Sequence, residues 1–168
     1  MQTSVETYQK QWTEGQVTRG DKRRDWTVYN ESVGSVKVGY TVLKGTDPRR
    51  QAILPAAAFG FGDFSGIAIH AIGISEKALG TGALNIVTDQ GFTTIREGYV
   101  AVKLGATVAA GDYVFVVHTT GGATALYGYR KDLDTDKASK IPAIYMQGGV
   151  SGDIVEIYVN DAMAIGVS

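Results

Sequence analysis

From Trp26 onward the chain alternates apolar and polar positions with a period of two. Val36, Val38, Tyr40 and Val42 fall on one face of a predicted strand, with Lys37, Gly39 and Thr41 on the other. Thr46-Asp-Pro-Arg49 breaks this pattern, and Asp47 can cap one turn of helix with Pro48 at its first position. Gly60-Phe-Gly-Asp-Phe-Ser-Gly66 reads as a loop, and residues 67–74 as a strand buried on both faces. Ser75-Glu-Lys-Ala-Leu-Gly80 has room for one helical turn. Residues 83–88 and 92–96 flank Asp89-Gln-Gly91, which predicts a short hairpin.

Residues 99–104 place Val100, Val102 and Leu104 on one face, and residues 112–118 are nearly all β-branched or aromatic. Gly121-Gly122 marks a turn. The last strand, residues 153–160, turns Val155, Ile157 and Val159 inward and Ile154, Glu156 and Tyr158 the other way. About eight short strands with long connections predict a mostly β fold. The expected form is a small β-barrel or two-sheet β-sandwich with at most one or two short helical turns.

Residues 1–25 lack this alternation. They are polar, hold Tyr8 and Trp12 as isolated large side chains, and carry the basic run Arg19-Gly-Asp-Lys-Arg-Arg24. Such a segment buries too little apolar area to order by itself, so it reads as an extended N-terminal arm that docks on a partner. Tyr8 and Trp12 are the candidate anchors, and Arg19, Lys22, Arg23 and Arg24 the candidate polar contacts. Residues 26–168 form the single β domain.

Composition narrows the chemistry. Glycine accounts for 22 of 168 residues, spaced between apolar runs, which suits turns and close strand approaches better than helices. There is no cysteine, which excludes disulfides, thiolate metal sites and cysteine nucleophiles. A net charge of −1, from 16 basic and 17 acidic residues, gives no global pull towards nucleic acid or anionic lipid. No apolar run nears the ~18 residues of a membrane span.

His70 and His118 stand at or near strand ends without a visible third metal ligand, so they read as strand-flanking histidines. Asp132, Asp134 and Asp136 imitate the opening of a calcium loop. Lys137 stands where the loop needs glycine and Ala143 where it needs glutamate. No Gly-x-Ser-x-Gly elbow or phosphate-binding loop is present. No catalytic residue, metal site or cofactor is therefore expected, and the chain reads as a protein that works by surface contact.

The order of motifs carries a resemblance. Val36-Lys-Val-Gly-Tyr-Thr-Val-Leu-Lys-Gly45 is followed by Phe64-Ser-Gly-Ile-Ala-Ile69, then by Glu97-Gly-Tyr-Val-Ala-Val102. Val108-Ala-Ala-Gly-Asp-Tyr-Val-Phe-Val116 comes next, then the link Ile141-Pro-Ala143 and Gly152-Asp-Ile-Val-Glu-Ile157. Over residues 33–160 this resembles the structural cement (capsid decoration) proteins of tailed bacteriophages. The resemblance implies a virion protein made in the host cytoplasm and carried on the capsid surface. It would bind the major capsid protein and bridge neighbouring capsomers as a homo-oligomer, a trimer favoured over a dimer, without catalysis.

Two other readings compete. One is a tail or collar component of the virion. The other is a glycan-binding β-sandwich module, in which Tyr127, Tyr129, Trp26 and Tyr29 stack on sugar rings.

Overall fold

Backbone amides in a chain this rich in β-branched residues find partners across strands rather than along helices. The computed structural model describes residues 12–70, 85–122 and 124–162. Its strands are β1 (Val17–Asn30), β2 (Val36–Lys37), β3 (Thr41–Lys44), β4 (Gln51–Ile53), β5 (Phe64–Ala68) and β6 (Asn85–Ile86). They continue as β7 (Gly91–Lys103), β8 (Tyr113–Val117), β9 (Tyr129–Arg130), β10 (Ala138–Tyr145) and β11 (Ile154–Asn160). A 3-10 turn, Phe61–Asp63, leads into β5.

Nine strands form one mixed sheet in the order β1-β4-β3-β5-β7-β11-β10-β8-β9, and β2 with β6 makes a small second sheet. Mixing arises because β1 runs parallel to β4 while the other pairs are antiparallel. Because β1 also pairs with β7, the pairings β1-β4-β3-β5-β7 return on themselves. The remaining strands fan out from β7, so the sheet as a whole is not a closed barrel. The protein is mostly β, as the alternation predicts.

Two apolar clusters follow from this layout. One collects Val28, Val42, Ala52 and Phe92 from the ring strands with Val36 and Ile86 from the small sheet. The other lies on one face of the fan and includes Val100, Val102, Val114, Val116, Ala143, Val155, Ile157 and Val159. Each fully buried valine or isoleucine contributes roughly 1.5–3 kcal/mol relative to exposure. The inward set expected for the last strand is the set found.

Several boundaries differ from the sequence reading, each for a local reason. The strand expected across residues 36–42 is split at Gly39, whose φ of 93° ends β2 and starts β3. Residues 92–96 and 99–104 belong to one strand, because β7 stays in register with β11 through Gly98, at φ 133°. The turn at Asp89 exists, but it does not close a hairpin: β6 pairs with β2, and β7 with β1, β5 and β11. Pro142 suggested a link, yet it sits inside β10 where the register with β8 slips between Lys140 and Ile144. A slipped segment is where a strand tolerates proline. Asp47 does cap a single turn, accepting from the Arg49 amide at 3.0 Å. The helical turn expected at residues 75–80 lies outside the described residues.

His118 ends β8 against the core. Its side chain is buried, its ring packs edge-on to Phe59, and Nε2 has no hydrogen-bond partner. Burial holds its pKa below the usual histidine value of 6.5. The unfolded chain thus binds the proton more readily, so stability is complete above about pH 6.5 and falls as pH drops below it. Thermal unfolding at pH 7.5 and pH 5 checks this: the decline should flatten in His118→Phe relative to the unaltered chain. An equal decline in both proteins would remove His118 as its source.

Candidate functional site

The basic run expected in the arm is part of β1. Residues 15 and 16 are already tied to Ala101, through the Gly15 amide at 2.8 Å and the Gln16 carbonyl at 2.9 Å. Val17 pairs with Val100, and Arg19 with Tyr99. The register then slips, so that residues 20–23 stand opposite Gly98 before Arg24 meets Glu97. This produces an exposed protrusion with Lys22 at a left-handed φ of 51°. Trp12 is half-buried just before it. Tyr8 lies outside the described residues.

Close range changes the electrostatic character of that run. A register slip between Val17 and Arg19 puts Thr18 and Arg19 within reach of one carboxylate, that of Glu156 in β11. Arg19 donates through Nε to Oε1 at 3.0 Å and through Nη2 to Oε2 at 2.6 Å, and the Thr18 hydroxyl donates to Oε1 at 2.9 Å. Glu156 is 1% exposed, and the Arg19 guanidinium also lies 4.3 Å from the centre of the Tyr99 ring. The hydrogen bond to Glu156 raises the Arg19 pKa further above its ordinary value.

Arg23 forks onto Asp25 at 2.8 and 2.9 Å, and Arg24 pairs with Asp161 and faces Glu97 at 3.9 Å. Three of the four cations in the sequence cluster are thus held by carboxylates of their own chain. Lys22 is the member with no ion pair among the described residues.

Other candidate sites resolve into structure. Asp132 and Asp134 turn onto the buried Arg130 at 2.5 Å each, fixing the loop before β10. Among the described residues no three metal-ligating side chains gather. His70 is exposed and His118 buried. Tyr127 packs against Tyr40 with ring centres 5.0 Å apart, while Tyr129 is in the core and donates to the Gly39 carbonyl at 2.6 Å. These two tyrosines do not share an exposed face, which removes the Tyr127–Tyr129 sugar platform. Trp26 is held by its indole N–H on the Arg49 carbonyl and by the Arg96 guanidinium 4.9 Å from its ring centre. Tyr29 is exposed and covers Gly91.

A feature not singled out in the sequence lies on the outer face of the fan. Tyr99 in β7 is register partner of Tyr158 in β11, Tyr158 of Ile144 in β10, and Ile144 of Tyr113 in β8. Register partners project to the same face of a sheet, so these four make one row across four strands. Tyr99 and Tyr158 stack with ring centres 4.8 Å apart, and Lys140 sets its ammonium 3.1 Å from the centre of the Tyr113 ring. The signal in the sequence is that Ile154 and Tyr158, or Tyr113 and Phe115, are apolar on the face opposite the core.

Comparison with known proteins agrees with the sequence motifs. The family model described as "Structural cement protein (E217 gp24/Pam3 gp6)" matches residues 1–160. The chain therefore belongs to the structural cement family of phage capsid proteins, and it is a capsid-decorating component of the virion. A solved structure with the same fold is a chain from "The capsid of Myoviridae Phage XM1". It superposes with a TM-score of 0.67 at 14% identity, covering 95% of this chain and 98% of that one. A search of curated proteins finds no match.

The Arg19–Glu156 fork fastens the start of β1 to β11, so Arg19→Ala should leave a buried carboxylate with Thr18 alone. Arg19→Ala is expected to lower the melting temperature by several degrees, whereas Lys22→Ala should melt with the unaltered chain. Equal melting of all three proteins in a calorimetric scan would show that the fork contributes nothing to the fold.

Proposed function

We propose that the chain binds the major capsid protein on the outside of the head and bridges neighbouring capsomers, acting as a homo-oligomer, a trimer in preference to a dimer. The observation that carries this reading is the family match over residues 1–160. A cement protein stabilises a shell by joining units that packed DNA pushes apart. Many weak copies achieve this because each one attached to two capsomers makes its second contact at high effective concentration.

In this proposal the segment before β1 reaches to a neighbour, with Tyr8 and Trp12 as anchors and the exposed Lys22 as a polar contact. Arg19, Arg23 and Arg24 have a different part, since their own chain holds their charge. They shape the protrusion that presents Lys22.

Co-sedimentation with capsids stripped of the protein tests the bridging role. Binding should saturate at a number of copies proportional to capsomers, and a handful per particle would instead mark a tail or collar component. The same assay with residues 1–11 removed keeps every described strand and is expected to show weaker binding. Trp12→Ala should cost ~2 kcal/mol of binding free energy if its ring fills a pocket. Undiminished binding by both variants would separate the arm from attachment.

A further inference from the structure

The row Tyr99, Tyr158, Ile144 and Tyr113 covers the face of the fan opposite its core. Tyr113 is 55% exposed and the other three are half-buried. A sheet face turned to water usually carries polar residues, yet here the centre of the face is aromatic and aliphatic. Phe115, the neighbour of Tyr113 on the same face, extends it along β8.

Charge decides which partner fits. At one end of the row Arg19 is neutralised, with both oxygens of Glu156 occupied by Arg19 and Thr18. At the other end Lys140 sits over Tyr113 and 5.8 Å from the Phe61 ring, with no carboxylate within ion-pair distance among the described residues. A second copy laid row on row would bring two lysines to the contact and no carboxylate from the row itself, an arrangement that desolvation opposes. A surface that sets apolar side chains on the row and an Asp or Glu opposite Lys140 satisfies both requirements.

We infer that this row is a docking face for an acidic-rimmed apolar patch on another protein, and that Lys140 and Tyr113 are its principal contacts. The inference rests on the capsid-binding reading and makes that partner the major capsid protein. Self-association then uses a different surface of the molecule. Tyr113 supplies area at small cost in side-chain entropy, and its ring holds the Lys140 ammonium in place before contact.

The test measures binding of Lys140→Glu and Tyr113→Ser to stripped capsids, beside their oligomeric state by analytical ultracentrifugation. Val33→Ser, at a fully exposed position between β1 and β2, is the control. Each of the first two variants should bind at least tenfold more weakly with oligomeric state unchanged, while Val33→Ser binds as the unaltered chain does. Binding of the unaltered chain should also weaken as salt rises, and Lys140→Glu should lose part of that dependence. Unchanged capsid binding in both variants would overturn the inference. So would dissociation of the oligomer at full capsid affinity, which would make a second copy the occupant. Failure of the unaltered chain to bind capsids would overturn the bridging role and this face with it.

Discussion

Strand β7 is the element on which the rest of the sheet depends. One edge pairs with β1 from Gly91 to Val100, and along the second edge β5 is followed by β11. A single strand thereby belongs to both apolar clusters, through Phe92 in one and Ile95, Val100 and Val102 in the other. At Gly98 the β1 edge of its ladder slips while the β11 edge stays in register. A Cβ there would lie 2.9 Å from Ile95 Cδ1 and 3.3 Å from the Lys22 carbonyl, at a φ that side-chain-bearing residues rarely adopt. The register slip opposite Gly98 and the protrusion of β1 are two sides of one contact.

That contact also explains how the N-terminal charges are arranged. A linear reading counts four cations within six residues and infers a basic patch. In the fold, β11 brings Glu156 and β7 brings Glu97 to the same place, Asp161 follows β11, and Asp25 lies two residues along β1. Ion pairs at the exposed rim contribute little on their own. The fork on the buried Glu156 differs, because a carboxylate withdrawn from water needs its partners in place. The arginines are therefore held by carboxylates of their own chain, while Lys22 has no ion pair among the described residues.

Legibility in the sequence followed the range of the interactions. The β class, the inward faces of residues 99–104 and of β11 and the capped turn at Asp47 depend on neighbours a few residues away, and alternation and turn chemistry report those directly. The continuity of β7, the pairing of β6 with β2 and the assignment of residues 17–25 to β1 depend on partners far along the chain. Nothing local in Arg19-Gly-Asp-Lys-Arg-Arg24 marks it as strand, because its pairing partners are residues 97–99. The family was legible from the order of motifs along the chain, two of which carry a Gly-Asp step just before a strand. The Tyr99–Tyr113 row was not, because it exists only once four strands are in register.

A capsid-decorating protein of the cement family is expected to strengthen the head that carries it. The direct measurement is the temperature at which DNA-filled heads release their genome, compared between heads that carry the protein and heads stripped of it. Stripped heads should open at a lower temperature, and adding back the purified protein should restore the original value as its sites fill. An opening temperature that stays the same at full occupancy would contradict that expectation.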